Sequence, residues 1–222
     1  MIGMKMYYPV MLDVSGKSCL IVGGGKVARR KADSLLEAGA LVTVIAPEVS
    51  DKLIAQEGRG KILLKKRAFQ SGDTAAYSIV IAATDQAELN EAVYEEATAH
   101  GAWVNVTDRP DKSSFIVPSV VRRGKLILTV STGGASPSVA RSIARELEAS
   151  YGAEYEIYLD FLSELRLKVQ GSVKDIEIRQ HIFKRVLDWD ILGKIRDGSF
   201  ERWKLKLDAA LTEDPTLADF LP

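Results

Sequence analysis

A chain of 222 residues, 46% apolar and 27% charged, has the length for one medium domain with a smaller appendage and the balance of an ordinary globular protein. Lys+Arg and Asp+Glu stand at 30 each, so overall charge does not point to a nucleic-acid or membrane partner, and an anionic ligand must be met by a local basic cluster. A single cysteine excludes an intrachain disulfide, a thiolate zinc site and a cysteine-ligated cluster, and no apolar run approaches the ~20 residues that span a bilayer.

The N-terminus, Met1 to Val10, is too short and too quickly polar for a secretory signal, and a cytoplasmic protein is expected. Tyr8 to Leu12 is apolar and reads as a short edge segment closed by a turn over Asp13–Lys17. Ser18 to Val22 reads as a buried strand and Lys26 to Ala38 as a helix, with Val27, Leu35 and Leu36 on one side. Cys19, inside that strand, is expected to act as a small buried hydrophobe.

Between strand and helix stand Gly23, Gly24 and Gly25. A strand that turns sharply into a helix leaves the first helical N–H groups unpaired, and with the helix dipole behind them they favour a pyrophosphate. Gly23 allows the tight turn, Gly25 lets the backbone approach the phosphates, and Ala28 is small enough for helix to pack on strand. The spacing is Gly-x-Gly-x-x-Ala. Lys26 is either a phosphate contact or an ordinary first-turn lysine.

After Gly39, Leu41–Ala46 reads as a second strand ended by Pro47, followed by a short helix over Val49–Glu57 and a strand near Lys61–Lys65. The dinucleotide pattern expects an acid at the end of the second strand to hold the ribose hydroxyls, and here Ala46-Pro47 is followed by Glu48 one step later. That departure leaves NAD against NADP open. Arg29 and Arg30 either meet a 2′-phosphate or are solvated helix-surface residues.

Ser78–Ala83 is a continuous apolar run, the pattern of a central parallel strand. A helix over Gln86–His100 follows, with Leu89, Val93 and Ala97 in register, then a strand at Trp103–Val106. Thr84, at the carboxyl end of the central strand, is placed to line the cofactor site, and Asp85 is equally explained as a helix cap. Asp108 lies in the loop after the next strand, where function concentrates; a turn aspartate explains it as well. The alternation is that of an α/β domain with a Rossmann-like, doubly wound parallel sheet.

Strands are then expected over Ser114–Val121 and Leu126–Val130, joined by a turn at Arg122–Lys125. Ser136-Pro137 reads as N-cap and first residue of a helix whose apolar stripe is Val139, Ile143 and Leu147. Gly133-Gly134, facing that helix N-terminus, is either a second anion site or a hinge. Beyond Gly152 everything reads as helical, with stripes at Tyr158, Leu162, Leu165, Val169 and at Ile178, Ile182, Val186 separated by Gly171, and a last helix over about 200–211. His100 and His181 have no neighbouring ligand pattern, and no metal site is expected.

Taken together, Tyr8–Leu12, Cys19–Gly25, Ala28–Lys31, Ala82–Asp85, Asn105–Asp108, Ser114–Pro118 and Ser131–Pro137 closely resemble the precorrin-2 dehydrogenase family, relatives of the N-terminal half of siroheme synthase. The similarity runs in order over residues 6 to about 150, and the helical tail resembles the family only in kind. The methyltransferase half of the larger enzyme has no counterpart in these residues. The resemblance implies NAD-dependent oxidation of precorrin-2 to sirohydrochlorin, with insertion of ferrous iron by some members. It implies Asp108 as the catalytic residue, a general base, and cofactor contacts at Gly23, Gly24, Gly25, Lys26, Val27, Pro47 and Glu48, with Thr84 beside them.

On the substrate side the assignments are Arg109, Ser114, Thr132, Gly133, Gly134 and Arg141. Arg122, Arg123, Lys125 and Arg145 complete the basic cluster available for the eight carboxylates of a tetrapyrrole. Some relatives carry a phosphorylatable serine where this chain has Thr132. The expected layout is an NAD-binding domain over 1–113, a dimerisation segment over 114–150 that builds a homodimer, and a helical domain over 151–222. No nucleic acid or membrane is expected as a partner. Two rival readings are a non-catalytic dinucleotide-sensing regulator and an NADP-dependent oxidoreductase on another substrate.

Overall fold

The computed structural model describes residues 6–214; the first residues of the N-terminal segment, read above as no secretory signal, lie outside them. The chain divides into two compact units, one ending at Val117 and one beginning at Pro118.

The first unit is a five-stranded sheet of β1 (Ser18–Val22), β2 (Leu41–Ile45), β3 (Ile62–Lys65), β4 (Ile79–Ala82) and β5 (Trp103–Val106). Their order is β3-β2-β1-β4-β5 and every pairing is parallel. Parallel strands need crossovers, and three of the four are the helices α1 (Lys26–Glu37), α2 (Asp51–Gly58) and α3 (Ala87–Ala99), while residues 66–78 between β3 and β4 form turns. Alternation along β1 separates two cores. Cys19 and Ile21 join Ala28, Ala32, Val44 and Leu53 on the side of α1 and α2, whereas Leu20 and Val22 join Val80, Val93, Ala97 and Val104 on the side of α3. Covering on both faces explains the continuous apolar run in β4, all of it buried. Burial pushes the Cys19 thiol up to about 11, so it is an inert core group, as expected.

The strand order reverses between β1 and β4, and because all strands are parallel their carboxyl ends share one edge. In such sheets ligands bind at that edge, at the point of reversal.

The second unit begins with the antiparallel hairpin β6 (Ser119–Arg123) and β7 (Leu126–Val130) and α4 (Pro137–Ser150), which lies against both strands. Four helices follow: α5 (Glu154–Ser172), α6 (Ile176–Arg185), α7 (Ile191–Arg196) and α8 (Phe200–Glu213). Their core centres on rings, with Phe161 5.6 Å from Phe200 and 5.5 Å from Trp203, and Trp189 5.4 Å from Trp203.

Four sequence expectations change. Tyr8–Leu12 forms no strand and is exposed, Tyr8 by 87%, because it pairs with no neighbouring strand. Ser114–Pro118 is irregular, and β6 starts only at Ser119, because Ser114 is bonded back to β5. Gly171 lies inside α5, and the chain breaks at Val173–Asp175, where the Asp175 carboxylate caps α6 through the amides of Glu177 and Ile178. On α4 the buried residues are Ala140 and Ala144, whose small side chains let the helix sit close to the hairpin, while Val139 and Ile143 face outward at 49% and 39% exposure.

Phe161→Ala should cost about 3–5 kcal/mol of unfolding free energy, read from a denaturant titration followed by tryptophan fluorescence.

Candidate active site

The turn from β1 into α1 is held by backbone contacts on two sides. Gly23 N–H donates to the Ile45 carbonyl at 2.9 Å, Ala83 N–H donates to the Val22 carbonyl at 2.8 Å, and Ser50 N–H donates to the Gly24 carbonyl at 3.0 Å. The three glycines are there for different reasons. Gly23 has φ +129° and packs so closely on Ala83 that a Cβ would strike its carbonyl group. At Gly24 a Cβ would lie 2.9 Å from both the Glu48 carbonyl carbon and the Val49 Cα.

Gly25 has neither constraint. Its φ of −83° and ψ of −167° suit any residue, and a Cβ there would meet nothing within 4 Å. Gly25 is also the N-cap of α1, a position where Ser, Thr, Asp or Asn would stabilise the helix, and it offers no side-chain cap. The first helical hydrogen bond runs from Arg29 N–H to the Gly25 carbonyl at 3.1 Å, so the amides of Lys26, Val27 and Ala28 precede the ladder. Nothing in the fold requires a glycine here. The space over those amides is open, and a helix N-terminus of this kind favours an anion.

The other expected cofactor residues reach the same edge. Pro47 and Glu48 follow β2, are exposed, and lie beside Gly24. Thr84 follows β4, but its hydroxyl is taken up internally, 2.8 Å from Asn90 Oδ1 and 3.2 Å from the Gln86 carbonyl, which it stitches to the start of α3. Asn90 is buried, and its Nδ2 donates to the Thr84 carbonyl at 3.0 Å. A buried asparagine on an otherwise apolar helix face was the available sequence signal for this brace. Asp85 is not the cap of α3; that position falls to Gln86.

Asp108, after β5, is exposed and has φ +60°, and among the described residues it is the one non-glycine with positive φ. Aspartate tolerates this conformation better than most residues, but the surroundings must still enforce it. They do so through Thr107 N–H on the Ala82 carbonyl at 2.9 Å and through Ser113. The Ser113 hydroxyl accepts from Val106 N–H at 3.0 Å and donates to the Arg109 carbonyl at 2.8 Å. Ser114 braces β5 likewise, accepting from Val104 N–H at 2.7 Å. The Thr107 Oγ1 beside Asp108 is buried with no hydrogen-bond partner. It lines a cavity of about 160 Å³ together with Asp85, Asn90, Glu91, Arg109 and Lys112.

Both of those cations are engaged. Arg109 holds Asp111 through Nε at 2.9 Å and Nη2 at 2.7 Å, which keeps the Asp111 carboxyl down at about 2. Lys112 donates to Glu91 at 2.5 Å. On the helix side of the glycine turn, Arg29 is engaged as well, by Asp33 at 2.9 Å. Among the described residues no three His, Cys, Asp or Glu side chains gather as a metal ligand set.

In the second unit, Thr132, Gly133, Gly134 and Arg141 come together at the start of α4. The Thr132 hydroxyl closes the turn, accepting from Ser136 N–H at 3.0 Å and donating to the Ser136 carbonyl at 3.1 Å, while Gly133 and Gly134 have φ of +62° and +90°. Arg141 donates to Ser138 Oγ at 3.2 Å from an exposed position. Ser136 caps the helix as expected, accepting from Val139 N–H at 3.3 Å.

Residues 10–119, which hold the glycine turn and the whole sheet, match a family described as NAD(P)-binding. The solved structure of SirC, a precorrin-2 dehydrogenase, matches 91% of this chain and 100% of its own, with a TM-score of 0.75 at 26% identity. Over most of its length the chain is similar to this precorrin-2 dehydrogenase. Siroheme synthase of Nitrosococcus oceani is 40% identical over 205 residues, 92% of this chain and 44% of the relative. That of Methylococcus capsulatus is 38% identical over 182 residues, 82% of this chain and 38% of the relative. The chain thus spans less than half the length of these two relatives. The SirC match extends past residue 150, so the family likeness takes in helical tail that the motifs did not reach.

The contrast among the glycines is measurable in stability alone. Gly24→Ala should cost about 1–3 kcal/mol through backbone overpacking. Gly25→Asp, which gains a preferred N-cap, should leave stability within about 0.5 kcal/mol or raise it. Chemical denaturation of the two variants decides this.

Proposed function

We propose that the protein is a cytoplasmic NAD-dependent precorrin-2 dehydrogenase that converts precorrin-2 to sirohydrochlorin in siroheme biosynthesis. The observation that carries this reading is Gly25: an unconstrained, open glycine at a helix N-terminus, on the same sheet edge as an aspartate held in a left-handed conformation. The names of the relatives supply the substrate.

When bound, NAD supplies the acceptor for a hydride leaving a ring carbon of the substrate. The chain does the rest. The amides of Lys26 and Val27 hold the pyrophosphate, Glu48 meets the ribose hydroxyls, and the Gly24–Glu48 contact keeps both on one side of the turn. Asp108 would take the proton released as the substrate is oxidised. Its braced backbone fixes where that carboxylate starts from. A cavity of about 160 Å³ is well below the few hundred a drug-sized ligand fills, so the macrocycle rests over the open edge rather than inside the unit.

Ferrous iron is a further substrate on this reading. Pyrrole nitrogens supply the ligands, and Asp108 accepts the protons that leave as metal enters. The tetrapyrrole carboxylates call on Arg109, Ser114, Thr132, Gly133, Gly134 and Arg141. Arg109 reaches them only by sharing its guanidinium with Asp111, and Ser114 acts through its hold on β5. Residues 114–150 serve as the dimerisation segment of a homodimer, which the outward Val139 and Ile143 on α4 support; of the helical domain expected over 151–222, residues 215–222 lie outside the described residues.

Anaerobic precorrin-2 with NAD, followed at the absorbance of sirohydrochlorin with and without ferrous iron, tests the activity. No product in either arm would refute the reading. Gly25→Asp should abolish NAD binding in calorimetry while the protein stays folded. Asp108→Ala should bind NAD normally and dehydrogenate roughly 10²–10⁴-fold more slowly, the usual effect of losing a general base. A wild-type rate in that variant would reduce Asp108 to a turn residue.

A further inference from the structure

The dinucleotide reading leaves open how the site treats the 2′-position of the adenosine ribose, and a cluster on the outer side of α1 bears on it. Arg29 lies about one turn, roughly 6 Å, along the helix from Gly25. Its Nη1 donates to Asp33 Oδ2 at 2.9 Å, and the other oxygen, Oδ1, accepts from Gln56 Nε2 at 2.6 Å. Gln56 belongs to α2, so the carboxylate is fixed from two helices. A lone exposed i,i+4 pair would exchange freely with water. Here the Gln56 bond pins the acid, and Arg29 follows it down the helix.

The opposite end of α2 supplies the geometry. Ser50 N–H donates to the Gly24 carbonyl at 3.0 Å, so α2 starts beside the glycine turn, next to Pro47 and Glu48. The ribose end of a dinucleotide lying over Gly25 falls at that segment. Ser50 is the N-cap of α2, yet its hydroxyl makes no cap bond and is buried without a partner. Arg29 thus stands one turn into α1 from Gly25, and its guanidinium is drawn to Asp33, further along the helix, whose other oxygen is held by α2.

We propose that Asp33 is a positioning residue for cofactor choice: by holding Arg29, it keeps a guanidinium from the ribose 2′-position and thereby selects NAD over NADP. The inference rests on the dinucleotide reading above. In the native chain a 2′-phosphate meets an arginine already neutralised by Asp33, with that acid close by and Glu48 on the other side. With Asp33 removed, it meets a free guanidinium, whose fork matches phosphate oxygens. One such charge-assisted contact corresponds to about a tenfold gain in affinity.

The test is calorimetric binding of NADH and of NADPH to the full chain, wild type and four variants: Asp33→Ala, Asp33→Asn, Arg29→Met, and Asp33→Ala with Arg29→Met. Asp33→Ala and Asp33→Asn should bind NADPH about tenfold more tightly and NADH within twofold of wild type, and the double variant should lose the gain. Asp33→Asn keeps an acceptor for Gln56 and so serves where Asp33→Ala fails to fold. Unchanged NADPH affinity in both single variants, or a gain that survives Arg29→Met, would overturn the proposal. So would equal shifts for both nucleotides, the mark of a purely structural Asp33. A wild-type chain that bound neither nucleotide would instead bring down the dinucleotide reading itself.

Discussion

The site depends on one close approach of backbone to backbone. For β1 to enter α1 where it does, the turn must pass between Ala83, at the end of β4, and Glu48, just beyond the end of β2, and at both places there is room only for hydrogen. Gly23 and Gly24 satisfy that constraint. They aim the N-terminus of α1 at the edge where the sheet order reverses, and this leaves Gly25 as the residue over which the helix opens to solvent. The approach also fixes the neighbours, because Ser50 and Ala83 are bonded to the same turn. Binding capacity there is a by-product of strand packing, and only Gly25 is surplus to it.

Asp108 is built on the opposite principle. The glycine turn follows from what the strands permit, whereas Asp108 sits in a conformation uncommon for any residue with a side chain, which the hydrogen bonds of Thr107 and Ser113 impose. Strain of this kind persists where the surroundings over-determine the backbone, and the braces come from β5 and the loop itself. Its position is thus set by the same sheet that sets the turn. The glycine turn and Asp108 therefore stand on the same edge of one sheet.

Much of this was legible in the residues. Continuous apolar runs at Leu20–Val22 and Ile79–Ala82 have the pattern of parallel strands covered on both faces, and three glycines between a strand and a helix mark the turn. What stayed hidden was which partner each group takes. The stripe of Val139 and Ile143 has the spacing of a core face, yet periodicity says that something covers a stripe, not that this unit does; the hairpin takes Ala140 and Ala144 instead. The hydroxyls of Thr84, Ser114 and Thr132 also brace the backbone around them, a role that the motifs alone do not reveal. Asp33 gave no signal at all, since its meaning depends on Gln56, 23 residues away.

The claim that Gly25 is shaped by a ligand rather than by the fold is tested most directly by a crystal structure of the chain with NAD. The account predicts the pyrophosphate directly over Gly25, with its oxygens within ~3 Å of the Lys26 and Val27 amide nitrogens. A dinucleotide bound elsewhere, with the space over Gly25 filled only by solvent, would contradict it.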